Sequence, residues 1–192
     1  MTVGADRAQA DTTPGNGAQH LLARRRLARA VVEQKGAMDA ADRLTFEKVG
    51  VPVRAVIESA GREVAALLIQ QFPEEIGRGA VFLCGKGNNG ADGYAAGRAL
   101  LNRGISVTVL ALTAPAKLAG DARETADSFL KQGGRVIEIT AVDAAVEEVI
   151  DHSGIIVDAI YGTGFRGKLP EPAAALVVYS PAPGPKDRVL VE

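Results

Sequence analysis

Residues Ala80 to Gly93, AVFLCGKGNNGADG, constrain the fold of this chain more than any other stretch. An apolar run from Ala80 to Cys84 stops at Gly85, and an alanine-rich helical pattern follows at once. The turn reads Gly85-x-Gly87-x-x-Gly90, the glycine fingerprint of a dinucleotide-binding strand–turn–helix unit. Glycines let the backbone turn tightly and approach a phosphate, and the new helix offers free N–H groups at the positive end of its dipole. Alone the fingerprint is weakly specific. Here it also carries Asn88, Asn89 and Asp92, which a plain dehydrogenase loop does not need.

The patterns after this unit repeat it. Ser106–Leu112, Arg135–Ile139, Ile155–Ile160 and Arg188–Val191 read as strands. Helical stretches fall at about Ala91–Asn102, Lys117–Lys131 and Val142–Ile150. Two more helices, Met38–Val49 and about Ala55–Gln71, precede the first strand, and Pro73 ends the second of them. Strands alternating with helices imply parallel pairing through right-handed crossovers, with both sheet faces covered. The expectation is a three-layer αβα Rossmann-like sandwich, α/β in class, with a mainly parallel sheet and two N-terminal helices.

Length and composition bound the rest. A chain of 192 residues, 47% of them hydrophobic, suits one domain with a substantial core. Residues 1–36 read as a disordered or partly helical extension and 37–192 as the domain; Asp6 and Asp11 argue against a targeting peptide. A net charge of −1 exerts no global pull on nucleic acid or membrane, and no segment approaches the roughly 18 apolar residues of a membrane span. The single cysteine, Cys84, sits in an apolar run, forms no intramolecular disulfide and is compatible with a reducing, cytoplasmic setting.

In sheets of this kind ligands bind beyond the carboxyl ends of the strands, near a switch in strand order. Two glycine-rich loops qualify: Gly85–Asp92, and the run from Asp158 through Gly162-Thr163-Gly164-Phe165-Arg166-Gly167-Lys168. Asp158 stands among Ile155, Ile156, Val157, Ala159 and Ile160, where a carboxylate is costly unless paired, hydrogen-bonded or metal-bound. Two readings are open: it caps the following turn, or its oxygen joins that of Asn89 on a hard cation. Gly162 to Gly164 form a tight turn or wrap a phosphate or ribose, and Arg166 and Lys168 offer positive charge to a phosphate or are ordinary surface residues. Asp92 either stabilises the first helical turn or, since it would repel a bare phosphate, meets some other ligand group. His20 and His152 look uninvolved, and Lys86 is no Walker lysine because Gly87 follows it. An ordinary NAD unit places an acid about 20 residues on, at the end of its second strand. Here that place reads Leu112-Thr113-Ala114-Pro115, which weighs against a standard dehydrogenase.

With both loops in hand, the sequence resembles the NAD(P)H-hydrate epimerase family, the YjeF N-terminal domain. Its markers stand in order: Met38-x3-Asp42 with Gly50-Val-Pro52; Ile57-Glu-Ser-Ala-Gly61; Gly87-Asn-Asn-Gly-Ala-Asp-Gly93; and Val157-Asp-Ala-Ile-Tyr-Gly-Thr-Gly164. The resemblance implies an isomerase that interconverts the R and S epimers of hydrated NADH and NADPH at C6, with a separate dehydratase consuming the S form. It implies that Asn88, Asn89, Gly90, Ala91 and Asp92, with Gly162 to Lys168, line the hydrate site, and that Asn89 and Asp158 ligate potassium. Asp92 is the candidate proton carrier. A homodimer is expected through the paired N-terminal helices.

One departure stands out. The family carries Asp-x-Pro-Ser-Gly after the next helix and strand, where this chain has Ser180-Pro-Ala-Pro-Gly-Pro185 in place of the helix, then Arg188-Val-Leu-Val-Glu192. The expectation is a domain incomplete at its C-terminus, by truncation or by degeneration. The alternative function is then a catalytically impaired member that binds ligand or serves as a protein scaffold.

Overall fold

The computed structural model describes residues 52–162, 165–179 and 189–191, with backbone only for 178–179 and 189–191. The first expected helix, Met38–Val49, and the extension before it lie outside the described residues.

The described chain begins with helix α1 (Val53–Gln71), a short α2 (Pro73–Ile76) and strand β1 (Ala80–Cys84). Helix α3 (Asn88–Leu101), β2 (Val107–Ala111) and a 3-10 turn (Pro115–Lys117) come next, then α4 (Gly120–Lys131) and β3 (Arg135–Glu138). The chain continues through α5 (Ala144–His152), β4 (Ile155–Ala159), α6 (Ala173–Tyr179) and β5 (Val189–Val191). All five strands pair in parallel, in the order β3-β2-β1-β4-β5. Strand order therefore reverses between β1 and β4.

Period-2 alternation divides the core between two layers. Ala80, Phe82 and Cys84 of β1 face Ile57, Leu68, Tyr94 and Phe129 on α1, α3 and α4. Val81 and Leu83 face Val146, Ile150 and Leu176 on α5 and α6. β1 is buried along its whole length, as its unbroken apolar run demands. The three-layer expectation holds.

Helix α1 seats on α3 through small residues. A Cβ built on Gly61 would come 2.6 Å from Ala95 Cβ. A half-buried ion pair between Glu58 and Arg98 closes the same contact. Arg54 ties the start of α1 to Glu124 and, at 3.1 Å, to Ser128 on α4.

Several expected boundaries shift. Helix α3 starts at Asn88 rather than Ala91, because Gly87 is its N-cap and its carbonyl already accepts from Ala91 N–H at 3.1 Å. The stretch expected as one helix over Lys117–Lys131 is a 3-10 turn followed by α4; Leu118 and Ala119 are extended and Gly120 takes φ +55°. Helix α5 runs two residues later than expected, since Asp143 caps it by accepting from Ala145 N–H and Val146 N–H. Helix α6 is a further element the periodicity does not announce, standing before Ser180 where no helix was expected.

Candidate functional site

The switch between β1 and β4 lies at the carboxyl edge of the sheet, the place where sheets of this kind carry a ligand crevice, and the described parts of both glycine-rich loops leave the sheet there. On one wall, the backbone leaves β1 at Cys84 and enters α3 within four residues. Two of the fingerprint glycines exist for packing. A Cβ on Gly85 would collide with the carbonyl of Ile160, just past β4, and one on Gly90 with the carbonyl of Gly85. Gly85 N–H also donates to Ala159 O at 3.1 Å, locking the loop to β4. Gly87 differs. Among the described residues, none beyond its chain neighbours and its own helix lies within 4 Å of where its Cβ would be, and its φ of −98° suits any residue. Its bare backbone faces open space at the first turn of α3, where N–H groups and the dipole favour anions.

Asn88 is exposed there, while Asn89 and Asp92 are half-buried and Gly90 and Ala91 are buried. Because α3 begins at Asn88, Asp92 lies beyond its first turn, so its expected role as a first-turn acid falls away.

The other wall follows β4. Asp158 is half-buried, and its Cα pairs with Leu83 of β1 one residue before the strand ends. Its Oδ1 accepts the Ile160 N–H at 2.9 Å, so the turn-capping reading holds for that oxygen. Beyond it, Phe165 N–H donates to Gly162 O at 3.0 Å, and the rings of Tyr161 and Phe165 stack. Arg166 is exposed and donates to Phe165 O at 2.9 Å; Gly167 and Lys168 are exposed. Thr163 and Gly164 lie outside the described residues. The structure thus brings Asn88 to Asp92 and Asp158 to the carboxyl ends of two neighbouring strands. Tyr161, two residues past the end of β4 and not singled out by sequence reasoning, packs against the cluster beneath α5 and α6.

Cys84 lies beneath α3, where a Cβ on Gly93 would meet its Sγ at 2.8 Å. Burial, and secondarily the Asp158 carboxylate, push its thiol far above the ordinary range. Burial likewise pushes up the phenol of Tyr94, whose hydroxyl has no hydrogen-bond partner among the described residues. Among those residues no group of three or more His, Cys, Asp and Glu is placed to hold a metal ion. The pair Asn89 and Asp158 nonetheless fits a hard monovalent cation in kind, one amide and one carboxylate on the same crevice. His152 ends α5, its Nδ1 2.7 Å from Glu148 O, and lies with Glu148 on a groove at the amino ends of the strands. The loop after β2 carries no acid, and its Leu112 N–H donates to Cys84 O at 3.0 Å. A groove of about 410 Å³ that includes Arg78, Thr108, Arg135 and Glu148 opens at the amino ends of the strands, away from this crevice.

A parallel sheet in this order, with a glycine loop at its switch point, defines a doubly wound, Rossmann-like α/β domain with a carboxyl-edge ligand crevice. No helix among the described residues is long and apolar enough to cross a membrane. The family model described as YjeF-related protein N-terminus matches residues 53–183, and the chain belongs to that family. The Bifunctional NAD(P)H-hydrate repair enzyme Nnr of Moorella thermoacetica is 35% identical over 129 residues, covering 66% of this chain and 24% of that protein. The NAD(P)H-hydrate epimerase of Rhodopirellula baltica is 37% identical over 129 residues, covering 67% of this chain and 50% of its own length. The chain thus spans about a quarter of the bifunctional relative and half of the epimerase. The crystal structure of the yeast protein ynu0 matches with a TM-score of 0.64 at 24% identity, over 76% of this chain and 62% of that one, which bears on the fold alone.

Proposed function

We propose that this domain is an NAD(P)H-hydrate epimerase, interconverting the R and S forms of hydrated NADH and NADPH at C6. The observation that carries the reading is Gly87, the N-cap of α3, where an added Cβ would meet no other described residue, at the end of the strand that neighbours the Asp158 strand. The names of its relatives support the substrate class. The first turn of α3 and the Gly87 backbone bind the substrate's phosphates, with Arg166 and Lys168 adding charge from the opposite rim.

Epimerisation needs the C6–O bond to break and re-form on either face. The N1 lone pair forms the C6=N1 bond as hydroxide leaves, and Asp92 supplies the proton that turns it into water. Re-addition of water to either face, with the proton returned to Asp92, gives both epimers and balances the step. The carboxylates stabilise the transient ring cation. Asn89 and Asp158 would hold potassium, which when bound supplies a fixed positive charge in the crevice. A dehydratase consumes the S form, on a separate chain in this reading, and a homodimer in a cytoplasmic setting completes it.

The test follows R-to-S conversion of NADPH hydrate with a stereospecific dehydratase as the coupling enzyme. Acceleration over the spontaneous rate is expected, with a potassium response that Asp158→Asn removes while keeping an oxygen for the Ile160 N–H. A folded protein that gives no acceleration would overturn the epimerase reading in favour of a binding or scaffold role.

A further inference from the structure

The described aromatic side chains fall into two groups. Phe72, Phe82, Tyr94 and Phe129 are buried in the core between the sheet and α1, α3 and α4. Tyr161 and Phe165 are half-exposed, and they stack on each other at the carboxyl edge just past β4, with ring centroids 4.1 Å apart and planes 23° from parallel. Tyr161 packs against the cluster beneath α5 and α6, whereas Phe165 belongs to neither core. Tyr161 is therefore the inner ring and Phe165 the outer one. Phe165 N–H donates to Gly162 O at 3.0 Å.

A half-exposed phenyl ring held parallel to a second ring presents its remaining surface as a flat apolar face. Such faces take up other flat rings, and aromatic side chains that stack nucleobases are the common instance. The position matters as much as the surface. Both rings follow the carboxyl end of β4, the neighbour of β1, whose own carboxyl end leads into Gly87 and the first turn of α3.

We propose that Tyr161 and Phe165 form a stacking platform for a flat heteroaromatic ring of a nucleotide, Phe165 touching the ring and Tyr161 positioning Phe165. The proposal rests on the nucleotide reading of the crevice, and it adds the part of the ligand this rim recognises. A dinucleotide carries two such rings, adenine and an intact pyridine; in the hydrated nicotinamide C6 is tetrahedral, so for the proposed substrate the flat ring is adenine. Tyr161 acts through its neighbour and needs no hydroxyl to do so.

The chain contains no tryptophan, so Phe165→Trp creates a lone indole reporter at the platform. AMP and nicotinamide mononucleotide are titrated separately against its emission, with folding checked by circular dichroism. Saturable quenching by AMP assigns the platform to adenine, and quenching by the mononucleotide assigns it to the pyridine end. Quenching by neither overturns the proposal. As a second measure without the indole, Phe165→Leu and Tyr161→Leu should each weaken the quenching nucleotide about tenfold by equilibrium dialysis. Tyr161→Phe should restore wild-type affinity, which a role for the hydroxyl would not allow. In the coupled assay the loss should fall on KM rather than kcat. Stacking without epimerisation would remove the epimerase reading and leave the platform. Epimerisation with unchanged KM in both leucine variants would do the reverse.

Discussion

Gly61→Ala sets two effects of known sign against each other. In an open helix alanine is worth about 1 kcal/mol more than glycine, so propensity alone stabilises. In this helix the added carbon would lie 2.6 Å from Ala95 Cβ and 2.7 Å from Ala95 C and Ala96 N. Ordinary carbon contacts sit near ~3.5–4.0 Å, so α1 must lift from α3 by roughly 1 Å. Overpacking of that kind costs about 1–3 kcal/mol. Lifting α1 also draws Glu58 from Arg98, a pair whose side chains are 17% and 27% exposed, and adds about 1 kcal/mol after allowance for solvent. The net expectation is a loss of about 1–3 kcal/mol, read as a lowered urea midpoint by far-ultraviolet circular dichroism with an unchanged slope. Ala66→Gly, on the exposed side of the same helix, calibrates propensity alone and should cost about 1 kcal/mol. A Gly61→Ala protein as stable as wild type, or more so, would refute the close seating of α1 on α3.

Two further expectations concern buried polar groups. Tyr94→Phe keeps the edge-to-face contact with Phe129 (centroids 5.8 Å apart) and removes a buried hydroxyl that has no partner among the described residues, so stability should rise by about 1 kcal/mol; a comparable fall in the urea midpoint would show that the hydroxyl is satisfied. Burial holds the Cys84 thiol protonated when folded, while the unfolded thiol ionises above about pH 8.5, so stability falls as pH rises, by about 2 kcal/mol at pH 10. Cys84→Ala should lack that contribution in paired unfolding curves from pH 7.5 to 10, and identical curves would refute it.

Sheet residues were the most legible part of the chain. β1 has the bounds its apolar run suggests, β2, β3 and β4 lose only terminal residues, and β5 is strand over its described residues Val189–Val191. Continuous apolar runs between glycine turns leave a doubly covered strand few alternatives. The start of α3 was not legible, because Asn88, Asn89 and Gly90 are weak helix formers whose conformation is set by Gly85 packing on Ile160 and Gly90 on Gly85. The same tertiary contact decides where Asp92 lies relative to the helix end. Helix α6 hid behind Pro170 and Pro172, and the start of α5 behind a cap chosen by Asp143. Sequence spacing does bring Asn88 to Asp92 and Asp158 to one end of the sheet, though the structure has the former in α3 and the latter in β4 rather than on loops. It does not report that Tyr161 and Phe165 lie face to face, since that depends on a turn rather than on a period.

The close seating of α3 has a thermodynamic consequence. The helix is wedged against α1 at Ala95, against the first loop at Gly90, and against Cys84 and Ala159 at Gly93, each time at distances that leave no slack. A wall held this way is preorganised, so ligand capture spends little of its interaction energy on ordering Asn88 to Asp92. Affinity differences among variants in the first loop would accordingly report lost contacts rather than lost order.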